Sequence, residues 1–175
     1  MIHIRQETPA DYEAVHALVK AAFANVPYSD QSEHLLVERL RKSEAFIPQL
    51  SLVAEVDQEL VGHILLTRIV IKNEGHTTPS LALAPVSVLP AKQGQGVGGA
   101  LIKAAHDEAR ALGHQSVILL GHEDYYPRFG YRPTAEYGIQ LPFDVPPENC
   151  MLIELQEGSL ADVFGTVEYP PAFME

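Results

Sequence analysis

Gln93-Gly94-Gln95-Gly96-Val97-Gly98-Gly99 is the most diagnostic segment of this 175-residue chain. It follows the apolar run at residues 81–89 and opens a segment whose apolar residues recur at helical spacing. Glycines at a helix start leave backbone N–H groups uncovered, and these donors suit a phosphate at the positive end of the helix dipole. A turn needs only one or two glycines. This glycine loop (residues 93–99) therefore predicts a phosphate-bearing ligand.

The glycine loop lies inside a strand–loop–helix–strand unit. Val97, Leu101 and Ala105 are spaced as on one helix face, and Gly113 suits the left-handed position after a last helical turn. Residues 116–120 form a short apolar run that is typical of a buried parallel strand. The unit predicts an α/β fold.

Two other phosphate-binding motifs share features with this loop. A mononucleotide P-loop needs Lys and then Ser or Thr after its last glycine, whereas Ala100 and Leu101 follow here. A dinucleotide site is harder to exclude, because Gly94-x-Gly96-x-x-Gly99 matches its fingerprint and Glu123 lies beyond the next strand. Residues 90–93 nevertheless separate the strand from the fingerprint, so a dinucleotide-binding α/β domain is the lesser alternative.

Two motifs carry a resemblance to a known family. Gln93-x-x-Gly96-x-Gly98 resembles the pyrophosphate loop, Gln/Arg-x-x-Gly-x-Gly/Ala, of the GNAT superfamily of acyl-CoA-dependent N-acetyltransferases. Tyr125-Tyr126-Pro127-Arg128-Phe129-Gly130-Tyr131 resembles that superfamily's Tyr-x-x-x-Gly-Phe segment, at the distance the superfamily shows. Within the superfamily, the chain looks closest to a bacterial group of predicted N-acetyltransferases with this doubled-tyrosine motif and a Tyr-Pro-Pro-Ala-Phe ending.

The resemblance implies a fold. This is a mixed, mostly antiparallel central sheet with a splayed parallel strand pair and helices on both faces, classed as α/β or, in some schemes, α+β. The element order read from the sequence, β-α-α-β-β-β-α-β-α-β, matches it. We expect one N-acetyltransferase domain over residues 1–175, with residues 139–175 as a C-terminal strand and proline-rich tail. Residues 72–80 are the most loop-like stretch.

The resemblance also implies acetyl-CoA as co-substrate. Its pyrophosphate would bind the amides of residues 95–99, and its peptide-like pantetheine arm would pair with an exposed strand edge at residues 86–88. Pro85, inside the apolar strand, indicates a bulge or an interrupted ladder. The predicted cofactor-binding residues are Val86, Ser87, Val88, Gln93, Gly94, Gln95, Gly96, Val97, Gly98 and Gly99.

Tyr126 is the catalytic candidate, since it aligns with the superfamily's tyrosine four residues before the glycine. A phenol can protonate a departing thiolate that lies within hydrogen-bond reach. The adjacent Tyr125 leaves the register open, and a core aromatic is the alternative role. Many members carry a glutamate on the strand before the loop, but residues 81–89 contain no acid. The remaining candidates for a base or a substrate contact are Glu33, His122 and Glu123.

These motifs support two function hypotheses. The first is an acetyltransferase acting on an amine of a small molecule or peptide, with Tyr126 protonating the leaving thiolate. The second is a non-catalytic module that binds or senses acyl-CoA. The segments expected to set specificity, residues 24–41 and 72–80, contain no recognisable substrate motif.

Composition limits the classes of partner and ligand that we expect. A formal charge of −11 and a pI near 5.1 disfavour nucleic acid and anionic membranes and favour a neutral or cationic acceptor. The 8 histidines form no metal-ligand cluster, so we expect no metal. A single cysteine, Cys150, with no apolar run long enough to span a membrane and no signal-peptide pattern, predicts a cytoplasmic protein. The sequence is compatible with a homodimer.

Overall fold

The computed structural model of the protein describes residues 1–27 and 29–174. In chain order, the strands are β1 (His3–Gln6), β2 (Phe46–Val56), β3 (Glu59–Asn73), β4 (His76–Val88), β5 (Ser116–Leu120), β6 (Arg132–Pro133), β7 (Ile139–Gln140), β8 (Cys150–Glu154) and β9 (Gly165–Glu168). The α-helices are α1 (Tyr12–Phe23), α2 (Glu33–Arg41), α3 (Val97–Ala111) and α4 (Pro171–Met174), and short 3-10 helices cover Pro9–Asp11, Pro90–Lys92, Tyr126–Phe129, Thr134–Tyr137 and Pro147–Asn149.

The strands form one mixed sheet in the order β1-β2-β3-β4-β5-β8-β6, with β9 on the far part of β3 and β7 beside β9. Pairing along the main path is antiparallel except between β4 and β5, which run parallel. This arrangement confirms the predicted fold class.

The parallel pair separates after a short contact. Within the described residues, β4 and β5 pair only at Leu81–Val117 and Ala82–Ile118, although β4 continues to Val88. On its other edge, β4 carries one extra residue where its register with β3 shifts around Pro85. The bulge predicted from Pro85 is thus confirmed. A gap opens between β4 and β5 at this level.

Helices cover both faces of the sheet. In β2, Val53 packs into a cluster with α1 and α2, whereas its neighbours Leu52 and Ala54 pack into the cluster that contains α3. Because successive strand residues face opposite sides, α3 lies on the other face from α1 and α2. Gly62 on β3 permits the close approach of α3, since a Cβ there would lie 2.8 Å from Val97 Cγ1.

A buried polar cluster fixes the end of α2 on the sheet. Arg41 forms an ion pair with Glu7, which also accepts a hydrogen bond of 2.8 Å from the Ser51 hydroxyl. Ser51 Oγ lies 3.0 Å from His63 Nε2, and burial lowers the pKa of His63 to about 3. These contacts position α2, and therefore Glu33 at its first turn.

Two sequence predictions were wrong in detail. Residues 72–80 are not a loop, because β3 and β4 continue through them as a hairpin paired from Asn73–His76 to Lys72–Thr77 and beyond. The polar composition there reflects an exposed ribbon in which β-branched threonines favour strand. The helix expected after β5 is only the 3-10 helix Tyr126–Phe129, with Pro127 in its first turn.

Candidate active site

The glycine loop presents open backbone at the start of α3. Gly96 is the N-cap residue and has a φ of +85°, which an L side chain adopts only with strain. A Cβ built at Gly94 or Gly96 would meet no atom within 4 Å. The helical hydrogen bonds begin with Ala100 N donating to Gly96 O. The amides of residues 97–99 therefore lie at the helix end without an intrahelical acceptor.

Two glutamines tie this loop to the preceding strand and turn. Gln93 Nε2 donates to the Val88 carbonyl at 3.2 Å, and Gln95 Nε2 donates to the Ala91 carbonyl at 3.4 Å. In this structure the Gln93 side chain therefore connects the glycine loop to the end of β4.

The strand edge beside the loop faces the gap. Residues 86–88 of β4 pair with β3 on one side, with Ser87 opposite His63 and Val88 opposite Gly62. Their other edge lies past the last contact with β5. Ser87 is buried, and its Oγ has no hydrogen-bond partner among the described residues. A peptide-like group could pair with this edge.

The aromatic segment after β5 packs on the first turn of α3. A Cβ at Gly98 would lie 3.3 Å from the Tyr125 hydroxyl oxygen, and one at Gly99 would lie 3.4 Å from the Phe129 ring. The Arg128 guanidinium stacks 4.7 Å from the centre of the Tyr125 ring. Burial raises the pKa of Tyr125. Tyr125 therefore belongs to the helix-start side of the site.

Tyr126 occupies a different position. Its half-buried ring lies against Gly121, the residue after β5, and meets the rings of Tyr125 and Tyr131 edge-on at 5.0 and 5.8 Å. Behind it, the Tyr131 hydroxyl shares a buried hydrogen bond of 2.8 Å with His106 Nε2. Burial raises the pKa of Tyr131 and lowers that of His106 to about 4, so the imidazole is neutral. Tyr126 lies at the end of β5 that borders the gap.

A cavity of about 440 Å³ opens at the same gap. Residues 82–84 of β4 and 118–120 of β5 form its base, and Glu33 lies on one wall. The Ser29 hydroxyl donates to the Glu33 carboxylate, at 2.8 and 2.6 Å from its two oxygens. The structure thus brings Glu33 to the gap. Tyr28, within the specificity segment 24–41, lies outside the described residues.

The other two candidates lie elsewhere. His122 and Glu123 are exposed on the turn after β5, where the Asp124 amide donates to His122 Nδ1 at 3.2 Å. Neither belongs to the lining of the cavity over residues 1–27 and 29–174. Within the same ranges, no group of three His, Cys, Asp or Glu side chains could hold a metal ion, and no helix is long and apolar enough to cross a membrane.

The sequence did not place three aromatic residues that form another wall of the cavity. They are Phe143, Tyr169 and Phe173. The Tyr-Pro-Pro-Ala-Phe ending was a visible signal, but its position depends on a contact with α2, where Arg39 Nε donates to the Ala172 carbonyl at 3.0 Å.

A larger hollow of about 680 Å³ between α1 and the β2–β3 turn lies away from the gap between β4 and β5. Three of its charged residues bond to one another, since Arg5 pairs with both Asp11 and Glu55 at 2.8 Å. The smaller cavity is the better candidate site, because it joins the gap to Glu33.

A splayed parallel pair beside a glycine-capped helix, on a mostly antiparallel sheet, defines a class of α/β protein that can hold a phosphate-bearing ligand along an open strand. Residues 3–134 match the family model described as an acetyltransferase (GNAT) domain, and the chain belongs to that family. Membership confirms the predicted acetyltransferase class. It also favours an acetyltransferase over the dinucleotide-binding domain.

Similar proteins support this assignment. The chain is 43% identical over 122 residues to the uncharacterized N-acetyltransferase YjhQ of Escherichia coli strain K12, covering 68% of this chain and 67% of YjhQ. The crystal structure of a GNAT family acetyltransferase from Brucella melitensis in complex with acetyl-CoA is 34% identical, with a TM-score of 0.81 over 99% of this chain and 98% of that one. The fold also matches E. coli YhbS in complex with CoA, at 24% identity and a TM-score of 0.88, over 99% and 92% of the two chains.

Proposed function

We propose that this protein transfers the acetyl group of acetyl-CoA to an amine of a small molecule or peptide. The observation that carries the proposal is the gap between β4 and β5. It joins an open strand edge and the glycine loop to the cavity that Glu33 lines. The acetyl-CoA complex of the Brucella relative, at 34% identity over nearly the whole chain, supports acetyl-CoA as the co-substrate here.

The residues present fit acetyl-CoA. Open space around Gly94 and Gly96 allows a pyrophosphate to approach the backbone, and the uncovered amides of residues 97–99 supply donors. The edge at residues 86–88 supplies backbone groups for the pantetheine arm. When bound, acetyl-CoA supplies a thioester whose carbonyl carbon an amine can attack.

Tyr126 is our proposed general acid. In the transfer, the amine nitrogen bonds to the acetyl carbon, the carbon–sulfur bond breaks, and the leaving sulfur takes a proton from the phenol. The proton that the nitrogen then releases passes through water to the phenolate and restores it. Its place against Gly121, at the end of β5 that borders the gap, supports this role. Tyr125, whose hydroxyl group lies beside Gly98, is better placed to support the loop.

Glu33 is our proposed contact for the acceptor amine. Residues 81–89 of the neighbouring strand carry no acid, whereas Glu33 lines the cavity and can receive a proton through the Ser29 hydroxyl or water. His122 and Glu123 remain weaker candidates because both lie on the exposed turn. We also propose a bacterial, cytoplasmic protein without a nucleic acid or membrane partner, in keeping with its charge of −11 and its bacterial relatives.

Binding and turnover together test this function. Calorimetry should detect acetyl-CoA binding and no comparable NADH binding, and a panel of primary amines should stimulate thiol release from acetyl-CoA. Tight acetyl-CoA binding without turnover of any amine would instead favour the acyl-CoA-binding module. Binding of NADH but not of acetyl-CoA would favour the dinucleotide alternative.

A further inference from the structure

The cavity at the strand gap has two chemically different walls. Asp30, which precedes α2, and Glu33, the first residue of α2, form an acidic wall. Three residues from the C-terminal part of the chain, Phe143, Tyr169 and Phe173, form an aromatic wall. At about 440 Å³, its volume falls within the range of small-molecule sites, roughly 300–1,000 Å³.

The acidic wall is held in place by hydroxyl groups. The Ser29 hydroxyl donates to Glu33, and the Ser32 hydroxyl donates to Asp30 Oδ1 at 2.6 Å. The Ser32 hydroxyl and amide lower the pKa of Asp30, with a smaller contribution from Arg39, and the carboxylate is charged at neutral pH. Among the described residues, no Lys or Arg lines the cavity. This wall attracts an ammonium group and repels a carboxylate.

The aromatic wall is a row of packed rings. The Tyr169 ring lies 5.0 Å from that of Phe143 and 4.7 Å from that of Phe173. Tyr169 is buried, and burial raises the pKa of its phenol, which therefore stays neutral. Such a wall suits a flat apolar group, since aromatic pairs add attraction beyond the area that they bury.

The C-terminal part of the chain is fixed opposite the acidic wall. Strand β9 pairs with β3, and α4 packs on α2, where Arg39 donates to the Ala172 carbonyl. A ligand that reaches residues 82–84 at the base therefore passes between the two walls.

We propose that the acceptor is an arylalkylamine, a small primary amine with an aromatic group and no carboxylate. This inference rests on the proposed function. Asp30 and Glu33 draw the ammonium group toward the gap, and Tyr169 and Phe173 hold the aromatic body. Glu33 is placed to take one proton from the ammonium group, and the neutral amine that results attacks the thioester. The second nitrogen proton, released after attack, returns through water to the Tyr126 phenolate.

The first experiment compares matched acceptors with the wild-type protein. We expect the kcat/KM of phenethylamine to exceed that of ethylamine, which lacks the ring, and that of phenylalanine, which adds a carboxylate, by about 10-fold or more. Equal or faster turnover of ethylamine, of phenylalanine or of a peptide amino terminus would overturn the inference while leaving the acetyltransferase function in place. Acetyl-CoA binding with no turnover of any amine would overturn both.

The second experiment tests each wall of the cavity with a substitution. Asp30→Asn and Phe173→Leu should each raise the KM for phenethylamine several-fold and leave the acetyl-CoA Kd unchanged. Asp30→Asn should also reduce the ratio of the kcat/KM for phenethylamine to that for phenylalanine. The matched controls are Glu38→Gln, on α2 but paired with His16, and Phe164→Leu, an exposed C-terminal phenylalanine outside the cavity. An unchanged KM in both wall variants would overturn the inference.

Discussion

The Tyr126 ring lies directly over the backbone of Gly121, so that a side chain at Gly121 would overlap the ring. Gly121 follows the last residue of β5, and its backbone is held by Asn149, which accepts from its amide at 2.9 Å and donates to its carbonyl at 3.0 Å. This contact places the proposed acid at the edge of the strand gap, and two predictions depend on it.

Removal of the Tyr126 hydroxyl should impair chemistry and spare binding. Tyr126→Phe keeps the ring contacts with Gly121 and Tyr131 but removes the proton that the phenol would give. We expect kcat to fall by about 100-fold or more, the usual range for a lost acid, with an unchanged acetyl-CoA Kd. Tyr125→Phe is the matched control. Loss of turnover in Tyr125→Phe alone would show that the general acid is Tyr125 and not Tyr126.

Addition of a methyl group at Gly121 should move the same ring. Gly121→Ala forces Tyr126 to shift because the new Cβ would occupy the place of the ring edge. We expect a lower kcat with little change in acetyl-CoA Kd. In the double variant with Tyr126→Phe, the two losses should not add, since both act through one phenol. Fully additive losses would show that Gly121 acts independently of Tyr126.

A side chain at Gly96 should weaken acetyl-CoA binding. Gly96→Val places a branched side chain at a φ of +85° and in front of the amides of α3. Gly113→Val introduces the same strain at a φ of +89° beyond the other end of that helix, again in open space. Both variants should lose similar stability in thermal unfolding. Only Gly96→Val should lose acetyl-CoA affinity in calorimetry, and equal affinities in both would contradict the loop assignment.

Acid should destabilise the protein partly through His106. Burial lowers the pKa of His106 from 6.5 to about 4. The unfolded chain therefore takes up a proton that the folded state does not as the pH falls from 6.5 to 4, and stability falls over that interval. In His106→Gln, the slope of unfolding free energy against pH should be smaller by up to about 1.4 kcal/mol per pH unit. Denaturant unfolding at several pH values measures it, and identical slopes would contradict the assignment.

Much of the fold was predictable because its signals are local. Helical spacing after Val97, the glycines before it and the proline at residue 85 each act within a few residues, and the structure confirms the elements that they predicted. The prediction of a loop at residues 72–80 was wrong because loops and exposed hairpins share a polar composition. Phe173 could not be placed, since its position depends on contacts with α2, more than a hundred residues earlier, such as that of Arg39 with Ala172.

We propose that an acetyl group passes from acetyl-CoA to an amine at the strand gap. Incubation of the wild-type protein with phenethylamine and acetyl-CoA labelled in its acetyl group, followed by mass spectrometry, follows this transfer to its product. We predict label in an amide of the amine, formed in step with free CoA thiol and strongly reduced in Tyr126→Phe. Bound acetyl-CoA with no label in phenethylamine or in any other amine of a broad panel would contradict the claim.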